Sequence, residues 1–437
     1  MLSPSQVIVL ATPVFFALIA VEWAISLKRG RNAYALADAI SSLNLGILSQ
    51  TSAVFTKLLT LGIYTVVASH VALIEADAFW LSLPGWLLAL LFYDLCYYWL
   101  HRLGHERNVL WAAHSVHHQS EEYNLTTALR QTSSGFLFSW IFYLPLALLG
   151  VPPLVFITVA SLNLLYQFWV HTRHVPKLGW LEWIFITPSN HRVHHAQNPL
   201  YLDRNYGGVF IIWDRLFGTF QEEDEREPVI FGVTTPLASW NPLWANVQFY
   251  AQLWHDARRT ASWWDKLRIW FMPTGWRPAD VAAAYPQPKQ DLAAFRKFAI
   301  PLGSAQQLYV TVQFAVYVAL GSYLMEVAER VAPAALVLGW TVMAFGLFVL
   351  GVALEDRPWA GRLELVRLLS NAPALYLAGV LGLVLVTPVF WWLLLGYSLL
   401  SLGGLALCRR AALGTEIAKT PAQPECQAQH QQAAEHP

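Results

Sequence analysis

Cysteine is nearly missing from these 437 residues: the three present, Cys96, Cys408 and Cys426, lie far apart and form no C-x-x-C pair. That spacing offers neither a thiolate metal site nor a disulfide framework, so any metal must be held by nitrogen or oxygen. Charge is scarce as well. Asp, Glu, Lys and Arg make up 13% of the chain, about half the usual soluble share. With 28 basic against 28 acidic residues there is no positive excess to favour a nucleic-acid partner. The N-terminus lacks a basic leader. Its apolar stretch, from about Val7 to Leu27, is instead followed by Lys28, Arg29 and Arg31, the order expected of an uncleaved anchor rather than a signal peptide.

What the chain has is apolar length. Apolar residues make up 56%, and a helix crossing a bilayer needs about 20 of them in succession. Candidate spans fall near residues 7–27, 41–67, 80–100, 134–150, 153–170, 306–327, 333–351, 371–388 and 389–407; the fourth and fifth, joined at Pro152 and Pro153, also read as a shallow hairpin. The 21 Trp and 17 Tyr suit membrane interfaces, although an aromatic core explains some of them. Basic residues follow the odd-numbered spans: Lys28, Arg29 and Arg31; Arg102 and Arg107; Arg173 and Lys177; Arg357, Arg362 and Arg367; and finally Arg409 and Arg410. Loops retained in the cytoplasm are enriched in Lys and Arg, so this alternation places the N-terminus outside and the C-terminus inside.

The expected fold is therefore all-α, a multi-pass helical membrane protein with a cytoplasmic histidine-rich cap. Its expected divisions are N-terminal spans over 1–79, a catalytic region over 80–225, a continuation of the cap over 226–305, C-terminal spans over 306–407 and a disordered tail over 408–437. The tail, rich in Gln, Ala, Glu and Pro, has too little apolar surface to fold, and His430 and His436 within it are set aside.

Nine of the other twelve histidines form four short groups: His101 and His105 in HRLGHE, His114, His117 and His118 in HSVHH, His171 in QFWVHT, and His191, His194 and His195 in HRVHH. Each group lies at or just beyond the cytoplasmic end of an expected span. Helix positions i, i+3 and i+4 project from one face, so each motif presents its imidazoles together. Imidazole is the commonest metal-binding side chain. A lone H-x-x-x-H is more often a hydrogen-bonded surface pair, but three such motifs in one chain point to a metal centre. Eight or nine histidines exceed what one ion takes and suit two. Imidazole accepts iron, zinc and copper alike, so spacing does not name the element. His70 and His255 stand alone and read as structural.

The stretches HRLGHE, HSVHHQSEEYNLTTALRQ, QFWVHT and NHRVHH, followed by DRNYGGVFIIWDRLFGTF, resemble the fatty acid hydroxylase and sterol desaturase superfamily over roughly residues 80–225. Within it they are most similar to the alkylglycerol monooxygenase group and its bacterial relatives. The resemblance implies two ferrous ions held by His101, His105, His114, His117, His118, His191, His194 and His195, with His171 a further ligand; His174, only three residues beyond it, departs from the spacing of the family's second histidine. It also implies a catalytic role for Glu106, whose bland alternative is a solvated charge. The implied reaction is hydroxylation of a lipid C–H bond by dioxygen, at the ether-linked carbon of an alkyl glycerol, with tetrahydrobiopterin as electron donor; no pterin-binding motif can be read in the sequence. The expected setting is a bacterial inner membrane or endoplasmic reticulum, with the site on the cytoplasmic face.

Asn124, Arg130, Gln131, Asp203, Arg204, Asn205 and Asp214 are candidates to orient the imidazoles, and Gly207 and Gly208 to allow a tight turn or close approach. Helix caps and ion pairs explain any one of them as well. Rival readings are a hydroxylase or desaturase of another lipid, such as a fatty acyl chain, sterol or carotenoid, and a zinc-dependent membrane hydrolase. A metal transporter would place its histidines midway along the spans rather than at one face.

Overall fold

The computed structural model describes residues 4–30, 32–287 and 291–419. Among these residues there are helices and three isolated β-bridges but no named strand. The first half runs through α1 (Pro4–Lys28), α2 (Leu36–His70), the short α3 (Asp77–Trp80), α4 (Leu83–Glu106), α5 (Asn108–His118), the single turn α6 (Leu125–Ala128), α7 (Phe136–Leu148) and α8 (Pro153–Trp169). The polar middle holds α9 (Pro188–His194), α10 (Ile212–Phe217), α11 (Pro242–Arg259), α12 (Trp263–Arg268) and α13 (Ala279–Ala284). A C-terminal bundle follows: α14 (Ser304–Val327), α15 (Pro333–Leu354), α16 (Ala360–Val380) and α17 (Pro388–Lys419).

Among the described residues five helices are long and apolar enough to cross a membrane, or six if α2, bent by 45° between Thr56 and Leu59, is counted as one span. Nine were expected. Helices α7 and α8 have 13 and 17 residues, and at 1.5 Å per residue α7 is about 20 Å long against a hydrocarbon core of about 30 Å. The segment 371–388 is not a helix of its own. Helix α16 begins at Ala360 and ends at Val380, with Gly382 at positive φ in the turn before α17. Arg367, expected in a basic loop, is consequently a buried residue of α16. Helix α17 runs on to Lys419, past the expected start of the tail. Residues 420–437, with Cys426, His430 and His436, lie outside the described residues.

Helix α2 is shared between two cores. One side packs Ile40, Leu43 and Leu48 against Phe314 and Tyr317 of α14 and Met343 and Leu347 of α15. Near its other end, Tyr64 joins Tyr93 of α4, Tyr143 of α7 and Phe156 of α8. The middle region is tied to both halves. Asn108, at the start of α5, donates to Ile269 O from its side chain and to Met272 O from its backbone, and Glu355, after α15, accepts from Trp240 N. The histidine-bearing ends of α4, α5 and α8 are thereby held under one polar lid.

Candidate metal centre

Three helix ends and one loop bring nine imidazoles together. His101 and His105 occupy the last turns of α4, His114, His117 and His118 the second half of α5, and His171 the loop after α8. The third helix is short and locally specified: Thr187 caps its N-terminus, Pro188 takes the first turn, and His191, His194 and His195 follow. Their ring nitrogens fall into two groups, His101, His105, His114, His118 and His194 in the first and His117, His171, His191 and His195 in the second, with all ligand atoms of a group within 4.8 Å of one another.

Helical geometry explains how each H-x-x-H-H motif is split. Residues four apart point only about 40° apart, while consecutive residues point about 100° apart. In each H-x-x-H-H motif the i and i+4 histidines share a group, His114 with His118 and His191 with His195, and the i+3 histidine turns to the other group. The groups adjoin where the His118 and His195 rings stack at 4.3 Å.

Backbone carbonyls fix the rings. Nδ1 of His101 donates to Tyr206 O (2.7 Å), that of His117 to Arg130 O (2.9 Å), that of His171 to Gln167 O (2.7 Å) and that of His194 to Arg204 O (3.0 Å). His105 Nδ1 faces the Asp203 carboxylate at 3.5 Å. A carbonyl can only accept, so each neutral ring keeps its single proton on Nδ1 and turns a bare Nε2 inward. Nε2 of His101, His105, His194 and His195 is buried without a hydrogen-bond partner.

These bare atoms test whether metal fits. His171 Nε2 lies 3.2 Å from His117 Nε2 and 3.1 Å from His191 Nε2, and His114 and His118 meet through Nε2 at 3.0 Å. His117 and His171 both keep their proton on Nδ1, so their two bare Nε2 atoms repel at that distance unless a cation lies beside both. Burial and the neighbouring imidazoles disfavour a proton there: burial pushes His117 down to about 4, with the Arg130 cation adding to the fall, and holds His171, His191 and His195 well below the ordinary imidazole value. Metal–imidazole bonds of about 2.0–2.1 Å set neighbouring ligands at right angles about 3 Å apart. The donor set and its spacing suit two metal ions.

The surrounding polar residues hold the carbonyls in place. Asp214 accepts from Tyr206 N (2.7 Å), Gly207 N (2.8 Å) and Thr219 Oγ1 (2.7 Å). Asp94, a buried acid in α4, accepts from Val209 N, Phe210 N, Asn163 Nδ2 and Trp213 Nε1. Between them Gly208 passes so close that a Cβ would stand 2.8 Å from Asp94 Oδ1, and one on Gly207 would stand 2.3 Å from Phe210 O. Asn205, at φ 55°, donates to Asn190 O and Gln221 O and so ties α9 to the loop. Buried Arg130 donates to Val116 O, next to His117, and Asn124 caps α6 while donating to Ala33 O. Arg204 contributes its carbonyl, and its guanidinium reaches Gly218 O.

Glu106 is not brought into either group; it pairs with Arg102 at 2.8 Å on the rim. His174 turns away from the rings, its Nε2 2.7 Å from Ser26 Oγ. His70 and His255 are exposed on α2 and α11. Sequence reasoning passed over Tyr206, fully buried with its hydroxyl unpartnered and its ring 5.3 Å from His105. It also missed Asp94, although a lone acid in an apolar run is the kind of signal that would have found it.

The fatty acid hydroxylase family model matches residues 86–219, a range that contains all nine imidazoles. Alkylglycerol monooxygenase from Xenopus tropicalis is 37% identical over 82% of this chain and 80% of its own length, and that from Homo sapiens is 36% identical over 82% and 80%. Ornithine lipid hydroxylase OlsE from Rhizobium tropici is 32% identical over 35% of this chain and 46% of its own. No solved structure matches the chain.

Proposed function

The chain belongs to the alkylglycerol monooxygenase family, carries the fatty acid hydroxylase domain and is an integral-membrane lipid monooxygenase, and on that premise we propose that it hydroxylates the ether-linked carbon of an alkyl glycerol with two bound ferrous ions. The observation that carries the reading is the convergence of bare, buried Nε2 atoms. His101, His105, His114, His118 and His194 would hold one iron, and His117, His171, His191 and His195 the other. Bound iron supplies the redox chemistry that inserts one oxygen atom of O2 into a C–H bond, while a reduced pterin such as tetrahydrobiopterin provides the two electrons that take the other to water. The hydroxylated ether is a hemiacetal, which breaks down to a fatty aldehyde and glycerol.

The protein's own work is positioning. The Nδ1 bonds to carbonyls lock nitrogen direction before metal arrives, and the lid keeps bulk water from the rings, which are buried except for half-buried His114. Glu106, paired with Arg102, would act from the rim, where polar reductant arrives. Residues 80–225 would form the catalytic region, with 226–305 completing the cap and 306–407 supporting it. The ends of α1 and α8 meet through Ser26 and His174 and carry Lys28, Arg29, Arg173 and Lys177. That gathering of basic residues supports a cytoplasmic cap.

Membranes containing the protein, supplied with an alkyl glycerol, O2 and tetrahydrobiopterin, are expected to release fatty aldehyde, and a His118→Ala control none. Zinc in place of iron in the purified protein, or hydroxylation of another lipid without aldehyde release, would refute the proposal.

A further inference from the structure

Two cavities reach the histidines from different sides. The first, about 130 Å³, lies among α1, α2, α8 and α14 and touches His117 and His171. The second, about 190 Å³, lies among α4, α5, α7 and α8 and touches His101, His114 and His117. Four residues line both: His117, Gln131, Leu164 and Gln167. The cavities thus meet at one wall that carries His117 of the second imidazole group, while His101 and His114 of the first group line the second cavity alone.

Their walls differ in chemistry. Phe15, Phe16, Leu43, Phe168 and Met325 give the first the larger apolar lining, with Thr12, Gln50 and Ser322 as its own polar residues, whereas the smaller apolar lining of the second carries the hydroxyls of Tyr97, Thr132 and Ser139. The shared amides are oriented. Asp94 accepts from Asn163 Nδ2 and Asn163 Oδ1 accepts from Gln167 Nε2 (2.6 Å), which leaves Gln167 Oε1 to accept from Tyr97 OH (2.8 Å). Gln131 Nε2 donates to Ala128 O at 3.1 Å. An amide nitrogen carries two hydrogens, so each glutamine keeps a second one for an acceptor on a ligand.

An alkyl glycerol is oxidised at an interior carbon, with a long apolar arm on one side and a short polar arm on the other. A single blind tunnel would instead present a chain end or one edge of a chain. We propose that the two cavities are the two arms of one substrate site. The alkyl chain occupies the first, the glyceryl group the second, and Gln131 and Gln167 flank the ether oxygen beside His117. This assignment rests on the ether-lipid reading above. It gives the C-terminal bundle a part in specificity, because Val318, Gly321, Ser322 and Met325 of α14 wall the alkyl arm.

Ser322→Phe and Ser139→Phe each fill one arm without touching a ligand of the centre, and iron content of the full-length protein in membranes reports whether either disturbs it. Ser322→Phe is expected to lower kcat/KM for long-chain against short-chain alkyl glycerols about tenfold, through KM. Ser139→Phe is expected to leave chain-length preference alone and to lower kcat/KM for alkyl glycerols about tenfold against alkyl ethers of ethylene glycol, whose head is smaller. If a phenylalanine prevents folding, leucine at the same position carries the test. Equal losses on all substrates at full iron content, or a chain-length shift from Ser139→Phe, would overturn the assignment. Should wild-type protein oxidise another lipid and leave alkyl glycerols untouched, the ether reading fails by itself. The arms then stand if Ser322→Phe alone shifts chain-length preference in that lipid, and fall if it does not.

Discussion

Two of the polar clusters buried among the described residues are satisfied in opposite ways. In the C-terminal bundle, Arg367 and Glu364 of α16 are 4% and 5% exposed, and all five guanidinium hydrogens have acceptors. Nε and Nη2 reach Glu364, Nη2 also reaches Gln313, and Nη1 reaches the hydroxyls of Tyr317 and Tyr397. Gln313 in turn donates to Ser401 of α17. The histidine centre closes only its outer shell, leaving Nε2 atoms facing one another inside. A cluster that closes on itself locks helices together; one that converges with bare donors is built for something absent from the polypeptide. Unpartnered atoms at Asn44 and Trp80 are single groups on separate helices, and convergence is what sets the centre apart.

The largest expected effect separates the two clusters by metal. Replacing His118 or His195 by Ala should remove all measurable turnover while the protein still inserts in the membrane. His114→Ala and His171→Ala should each weaken one iron site more than the other, read as iron per chain by metal analysis and by iron spectroscopy. Full turnover in both His118→Ala and His195→Ala would end the comparison, because the bare nitrogens would then have no task.

Arg367→Met tests the closed cluster. It strands Glu364 in an apolar bundle, and breaking one partner of a buried ion pair costs about 3–5 kcal/mol. Faster thermal inactivation is expected, with iron per folded molecule unchanged. Adding Glu364→Leu should recover most of the loss, since an apolar replacement of the whole pair is often neutral or better. Loss of iron before loss of fold in Arg367→Met would mean that this cluster serves the metal centre after all.

Why some of this was legible in sequence follows from what a side-chain pattern can carry. Spacing of three and four along a helix survives into the structure, so eight of the nine histidines could be gathered from motif alone, while the single His171 was reached only through the family resemblance. Their division between two groups could not, because it depends on how α4, α5 and α9 face one another. The outer partners were sought among side chains such as Asn124, Arg130, Asn205 and Asp214, yet four of the rings hold carbonyls, which every residue has and no sequence marks. Those side chains instead place the carbonyls. Hydropathy also misjudged lengths: an apolar run marks α7 as readily as a true span, and Arg367 looked like a loop residue because Gln313, Tyr317 and Tyr397, which with Glu364 of its own helix satisfy it, lie on other helices.

The positioning layer can be weakened without removing a ligand. Gly208→Ala puts a methyl group 2.8 Å from Asp94 Oδ1 and 2.9 Å from Asn163 Nδ2, both held in a buried network. The loop must shift, and with it the Tyr206 carbonyl that orients His101. Disturbing such outer partners typically costs about 10–100-fold in metal affinity, so a competing chelator should strip iron from this variant at lower concentration. Unchanged affinity would place the orienting force elsewhere.

Tyr206 gives the smallest expected change in stability and the finest test of the contrast. Its hydroxyl is buried beside the first imidazole group with no partner in the polypeptide, whereas every hydroxyl around Arg367 is engaged. Burying an unsatisfied hydroxyl is unfavourable by about 1–3 kcal/mol, so Tyr206→Phe should leave thermal stability unchanged or raise it slightly. If the hydroxyl faces substrate or oxygen, turnover should nonetheless fall several-fold with iron content intact. Tyr317→Phe is the matched control: it removes an acceptor from the Arg367 guanidinium, so stability should drop while turnover per folded molecule holds. Should Tyr206→Phe prove the less stable variant and Tyr317→Phe the less active one, unpartnered atoms would not be marking the site in this protein.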